Sequence, residues 1–288
     1  YATQYIERFG FSKDSLPRNL SLALGTASVS PLEMASAYAV FANGGFKVEP
    51  YYLDRIVSPD GKSIYEAQPR FACPQCVESQ APTAAGEGEI LGEGGSSDAP
   101  IRVPSSDEMR WGGLTYLQEQ WLAPSVISPQ NGYLMTDMMG DVIRRGTATR
   151  ALQLKRTDLA GKTGTTNDRR DTWFCGFNAG LVAAAWVGFD QERSLGPGEE
   201  GGRTALPMWV YFMAEALKGV PEQRRPAPPG LVSMRISADT GLAARPGEPN
   251  AIFETFMAGH LPAEPQLDGL GDGQEGSEEK KDEDDSLF

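Results

Sequence analysis

From residue 28 the chain reads SVSPLEMASAYAVFANGG, an apolar run punctuated at both ends. Ser30 is placed to cap a helix, Pro31 suits its first turn, and Glu33 completes a capping box. Asn43-Gly44-Gly45 then stops it. Leu32, Ala35, Ala39 and Phe41 spread apolar side chains around the helix, which predicts a buried element. The next run, YYLDRIVSPDGKSIYEA, alternates and carries Pro59-Asp60-Gly61 at its middle, so a hairpin is expected. A second capped helix is predicted in SPQNGYLMTDMMGDVIRRGTATRA. Ser128 and Pro129 open it, Arg144 and Arg145 suit its negative end, and Gly146 stops it. Met135, Met138 and Met139 are read as core packing in preference to a binding groove.

Three strand-like runs follow at 158–166, 171–178 and 181–189, with gaps short enough to make them antiparallel neighbours. ALPMWVYFMAEALKG at 205–219 predicts an apolar helix ending at Gly219. PEQRRPAPPG reads as a linker, and 231–265 as a short extension. Residues 71–105 break the pattern with Gly, Ser, Pro and acid and few apolar residues, so a mobile insertion is expected there.

Composition changes this picture in three places. The net charge is −13, which argues against nucleic acid as a partner. From Asp268 to the end, nine acids and two lysines carry −7 of it, so 267–288 is read as an acidic, disordered tail. No run of 18 apolar residues occurs, and no membrane contact is expected from this segment. The opening YATQYIERFGF has neither the basic nor the apolar region of a signal peptide and reads as mid-domain sequence, so the chain is expected to continue a longer one.

Cys73 and Cys76 form a lone C-P-Q-C in a chain with one histidine, His260, which is a poor zinc site. A local disulfide or a free pair is expected, with no metal and no cofactor. Cys175, in an apolar strand with no base in view, is read as a buried thiol.

The candidate chemistry lies in LAGKTGTTNDRRDTWF. Gly164 lets another backbone approach its strand closely. An edge strand offers free N–H and C=O groups to an extended peptide. Lys162, Thr163 and Thr165 add a cation and hydroxyls, enough to hold an anionic group such as a terminal carboxylate. A backbone N–H there can face a developing oxyanion. A phosphate-binding loop needs a glycine at position 156, which is arginine, and strand-like surroundings also exclude it.

Lys-Thr-Gly is the third element of active-serine penicillin-recognising enzymes, beside Ser-x-x-Lys and a Ser-x-Asn type triplet. LALGTASVSPLEMASAYAVFANGG, GDVIRRGTATRA and LAGKTGTTNDRRDTWFCGFNAGLVAAAWVGFD together resemble class A penicillin-binding proteins, of the Gram-negative 1A type. The resemblance covers roughly 1–70 and 120–265. It implies an α+β transpeptidase fold of the penicillin-binding-protein and serine β-lactamase kind, an antiparallel sheet flanked by helices. It implies a D,D-transpeptidase that cross-links peptidoglycan stem peptides through an active serine and is acylated by β-lactams, within a bifunctional chain that also carries a glycosyltransferase. The implied location is the periplasmic face of the inner membrane, with the anchor outside this segment.

Carried over, Lys162, Thr163, Gly164 and Thr165 are the expected catalytic wall. Lys162, Thr163, Thr165, Thr166 and Asn167 are the expected substrate contacts. No Ser-x-Asn triplet occurs, and Ser-x-x-Lys occurs only at Ser277–Lys280 in the acidic tail. The nucleophile is therefore expected upstream, in the part of the same domain that would be this chain's partner. The implied organisation is transpeptidase at 1–70 and 106–220, the insertion at 71–105, an extension at 221–266 and the tail at 267–288. A non-catalytic module of the same fold that binds wall peptide or partner proteins is the competing reading. A β-lactamase is disfavoured by the extension and the missing motifs.

Overall fold

The computed structural model describes residues 1–73 and 121–264. The chain divides into two compact units, at Tyr1–Pro229 and Gly230–Phe288. Among the described residues no helix is long and apolar enough to cross a membrane.

The first unit opens with α1 (Ala2–Glu7) and α2 (Pro31–Ala42). The predicted capping box is present: Ser30 Oγ accepts from Glu33 N–H at 3.2 Å, and Glu33 Oε2 accepts from Ser30 N–H at 2.7 Å. Gly44 and Gly45 take φ of 91° and 113° after the helix. At Gly45 a β-carbon would stand 2.7 Å from the Ile127 carbonyl oxygen, so the stop is also a packing contact. The helix is not buried all round as expected. Ala37, Val40 and Ala42 are buried while Leu32 is exposed, because one face alone packs against the rest of the unit.

Strands β1 (Arg55–Val57) and β2 (Ser63–Glu66) form the expected hairpin. The insertion boundary differs from the expectation. Phe71 bridges to Leu122, exchanging backbone bonds with Trp121 and Ala123 at 2.8 Å each, so ordered contact runs past residue 70. Cys73 is buried and disulfide-bonded. Cys76, most of the predicted insertion and all of the acidic tail lie outside the described residues.

Helix α3 (Pro129–Arg144) is capped by Ser128, whose Oγ accepts from Asn131 N–H at 3.2 Å. Its C-terminal arginines fold back on its own acids, with Arg144 2.8 Å from Asp137 and 2.6 Å from Asp141. Of the three methionines expected in the core only Met139 is buried. Met138 is 57% exposed and Met135 39%, since both lie off the stripe that meets the sheet.

Strands β3 (Ala160–Thr165), β4 (Thr172–Phe177) and β5 (Val182–Val187) make an antiparallel sheet in that order, as predicted. The register pairs Lys162 with Cys175, Thr163 with Phe174, Gly164 with Trp173 and Thr165 with Thr172. Paired residues share a face, so Ala160, Lys162 and Gly164 share one and Gly161, Thr163 and Thr165 the other. The first face packs on α2 and α3, where Ala160 and Phe177 meet Ala42 and Met139. The second packs on α4 (Ala205–Ala216), where Phe174 meets Leu206, Trp209 and Met213. Phe174 and Trp209 cross edge to face, with ring centroids 4.9 Å apart. Trp209 also donates its indole N–H to Gly176 O at 3.2 Å. A β-carbon at Gly176 would stand 2.7 Å from the Trp209 ring, so only glycine admits this approach.

Residues 221–229, expected as a linker, are a strap bound to this unit. Gln223 N–H donates to Asp158 Oδ2 at 3.1 Å, and Arg224 donates to Thr157 O at 2.9 Å. Arg225 donates to Ala42 O at 2.9 and 2.7 Å, and Gln130 holds Pro229 O at 2.8 Å. The proline-rich composition hides this, because each bond is made by a side chain or end group outside any repeating ladder. The second unit holds the antiparallel hairpin of β6 (Leu231–Ser237) and β7 (Ala251–Met257).

Candidate active site

Strand β3 starts deep and ends at the surface, running from buried Ala160 and Gly161 to exposed Thr165. Its root is fixed by Asp158, whose side chain is 0% exposed and takes a two-pronged grip from Arg156 at 2.9 and 2.8 Å. Burial would raise the Asp158 carboxyl. The bonds from Arg156 and from Gln223 N–H outweigh it and hold the group below the ordinary range.

Among the described residues β3 is an edge strand, bonded to β4 alone. The direction of its open groups follows from the turn. Thr166 N–H donates to Asp171 O at 3.0 Å across to β4. Strand alternation then turns the N–H and C=O of Gly164 and Lys162 toward β4, and those of Thr165 and Thr163 toward the open edge. Lys162 agrees with this. Its Nζ curls to the Thr163 carbonyl at 3.0 Å, and among the described residues no acid pairs with it.

The two threonine hydroxyls are held from behind. Thr163 Oγ1 is 2.7 Å from Thr147 Oγ1, and Thr165 Oγ1 accepts from Gly201 N–H at 3.0 Å. Gly201 lies on the strand itself. A β-carbon there would meet Trp173 O at 2.5 Å and Gly164 O at 2.6 Å. At Gly202 it would meet Thr147 O at 2.6 Å. Close approach at Gly164 is thus made by Gly201 on one face, while Gly202 closes on Thr147. On the other, a Gly164 β-carbon would stand 3.1 Å from Trp173 Cβ.

The expected site residues divide in two. Lys162, Thr163, Gly164 and Thr165 line one exposed edge. Thr166 and Asn167 belong to the β3–β4 turn, where Thr166 Oγ1 accepts from Arg170 N–H at 3.1 Å and Asp171 N–H at 2.8 Å. The Thr166 hydroxyl therefore serves the turn first. Thr147, Gly201 and Gly202 were not singled out from sequence. The Gly-Gly pair in EEGGRT is the local signal for the two glycines and resembles any loop, and Thr147 lies within GDVIRRGTATRA, which carries the resemblance but marks no role for it. Cys175, opposite Lys162, is buried, and burial pushes its thiol up to about 12. A buried thiol that keeps its proton is a poor nucleophile at neutral pH.

Comparison with known proteins decides what this edge belongs to. Residues 4–187 match the penicillin binding protein transpeptidase domain. The chain belongs to that family. It is 46% identical over 268 residues to penicillin-binding protein 1A of Pseudomonas aeruginosa, covering 88% of this chain and 31% of the relative. Against penicillin-binding protein 1A of Escherichia coli the identity is 35% over 303 residues, covering 94% and 35%. The crystal structure of penicillin-binding protein 1A from Haemophilus influenzae superimposes with a TM-score of 0.73 at 36% identity, over 92% of this chain and 37% of that one. The Mycobacterium tuberculosis penicillin-binding protein PonA1 shares the fold at TM-score 0.54 and 19% identity, over 95% of this chain and 57% of that one. The α+β fold is thus that of penicillin-binding protein transpeptidases, and the chain spans about a third of the length of the curated relatives it matches.

Proposed function

We propose that this chain supplies the Lys-Thr-Gly wall of a peptidoglycan D,D-transpeptidase active site. The observation that carries the reading is the edge of β3. It puts a lysine with no acidic partner among the described residues, two hydroxyls and an outward Thr165 N–H on one open strand. An extended stem peptide ending in D-Ala-D-Ala adds to that edge by backbone bonds. Thr163 and Thr165 take its terminal carboxylate through their O–H groups, and Lys162 supplies the charge. A serine from the upstream part of the domain attacks the penultimate carbonyl. The Thr165 N–H and the serine's own N–H hold the oxyanion. The last D-Ala leaves, and an amine of a second stem takes over the acyl group.

A β-lactam enters the same edge through its carboxylate and stops at the acyl-enzyme. One family structure, of PonA1 from Mycobacterium tuberculosis, is a complex with penicillin V. In the full-length protein we place a glycosyltransferase beside this domain and the assembly at the periplasmic face of the inner membrane, with the anchor outside this segment.

The test is the mass of the intact full-length protein after incubation with benzylpenicillin, paired with D-Ala release from a stem pentapeptide. The expected result is one covalent adduct and D-Ala release that the adduct blocks. Peptide binding with neither adduct nor release would overturn the assignment in favour of a non-catalytic wall-binding module.

A further inference from the structure

The contacts behind Thr163 and Thr165 carry a further role, one that rests on the reading of these threonines as carboxylate contacts. A hydroxyl has one proton to donate and two lone pairs to accept with. Gly201 N–H can only donate. Its 3.0 Å bond to Thr165 Oγ1 therefore occupies a lone pair and leaves the Thr165 proton for an outside acceptor.

The bond between Thr147 Oγ1 and Thr163 Oγ1 at 2.7 Å has no such fixed direction, since either oxygen can donate. A carboxylate at the edge, accepting from Thr163, removes that freedom. Thr147 must then donate to Thr163, and a chain of two hydroxyls points at the anion, each bond strengthening the next. We propose that Thr147 is the positioning residue that orients the Thr163 hydroxyl toward the substrate carboxylate.

The surroundings fit a fixed Thr147. It stands between Gly146, where a β-carbon would meet Val142 Cα at 2.8 Å, and Ala148, which is fully buried and bonded from its N–H to Val142 O at 2.9 Å. Gly202 closes on its carbonyl, where a β-carbon would stand 2.6 Å away. The backbone is held on both sides and from above, while the side chain itself is exposed and free of any core duty.

The experiment uses the full-length protein and two forms of one β-lactam, the free acid and its methyl ester. The readout is the ratio of their acylation rates, which measures recognition of the carboxylate alone. Thr147→Ala and the isosteric Thr147→Val are expected to lower that ratio roughly two- to tenfold, the size of one lost neutral hydrogen bond. The ester rate and the melting midpoint are expected to hold, and Thr147→Ser is expected to restore the ratio. Thr163→Ala is the control. If it leaves the ratio unchanged, the carboxylate role of Thr163 fails and takes this inference with it. If Thr163→Ala lowers the ratio while both Thr147 variants keep it, the inference alone fails. An equal loss for acid and ester in both Thr147 variants would show a merely structural residue and overturn it too.

Discussion

Gly201 rests on the backbone of Gly164: a β-carbon on Gly201 would stand 2.6 Å from the Gly164 carbonyl oxygen and 3.1 Å from its nitrogen. Two glycines 37 positions apart thus meet where the proposed substrate edge is made. The obstacles are main-chain atoms of two paired strands, which cannot swing aside as a flexible side chain can. We expect Gly201→Ala to displace the 199–204 segment from β3 at a cost of about 1–3 kcal/mol. In the full-length protein this is expected as a lower unfolding midpoint for the transpeptidase domain together with slower acylation by penicillin. An unchanged midpoint and rate would mean that the segment gives way freely.

Asp158 ties the root of β3 to Arg156, to Asn178 and to the strap at Gln223. Asp158→Asn takes the carboxylate from Arg156, which keeps its bonds to Val220 O and Pro221 O, so the expected cost is that of a charge-assisted hydrogen bond, about 1.5–3 kcal/mol. The pH dependence has a definite sign. The folded carboxyl lies below its ordinary value of 3.8. Its contribution is therefore complete above the unfolded pKa of about 3.9 and is lost as pH falls through the lower folded value. Unfolding midpoints taken from about pH 7 to about pH 3 should fall more steeply below about pH 4 in the wild type than in the Asn variant. Parallel acid limbs would contradict the assignment.

Cys175 is buried, and its thiol is pushed up to about 12 by burial. A thiol reagent at mildly alkaline pH is expected to leave it untouched in the folded protein and to modify it after denaturation. Peptide mapping distinguishes it from Cys73 and Cys76. Modification in the folded state at the rate of a free thiol would show that this part of the sheet opens.

The parts of the fold legible in the sequence are those whose determinants are neighbours along the chain. The capping box at Ser30 and Glu33 spans four residues, and Ser128 with Pro129 opens α3 in the same local way. The three central strands are set by short apolar runs and short gaps, so their pairing order follows directly. What escaped the sequence depends on distant partners. Thr147 reaches Thr163 across 16 positions, and Gly201 reaches Thr165 across 36. Nothing local marks Gly201 as more than loop, and the resemblance around Thr147 assigns that residue no role. The strap at 221–229 failed as a linker for the same reason, because its anchors at Ala42, Gln130, Thr157 and Asp158 come from other elements. Met135 and Met138 show the limit of composition. An apolar type was assigned to the core, but its position on α3 faces outward. The strand Lys162–Thr165 was legible as chemistry, and the backing that shapes it was not.

The central claim is that Lys162 faces substrate, and one comparison tests it most directly: the acylation rate by penicillin and the unfolding midpoint of full-length wild type against Lys162→Ala. Lys162 is exposed, and among the described residues its ammonium bonds to the Thr163 carbonyl and has no acidic partner, so removing the side chain should cost the fold little. Loss of a charge-assisted contact that tightens in the transition state should slow acylation roughly ten- to a hundredfold. The account predicts that loss of rate with an unchanged midpoint. An unchanged rate would contradict it, and so would a collapsed midpoint, which would make Lys162 a residue of the fold and not of the reaction.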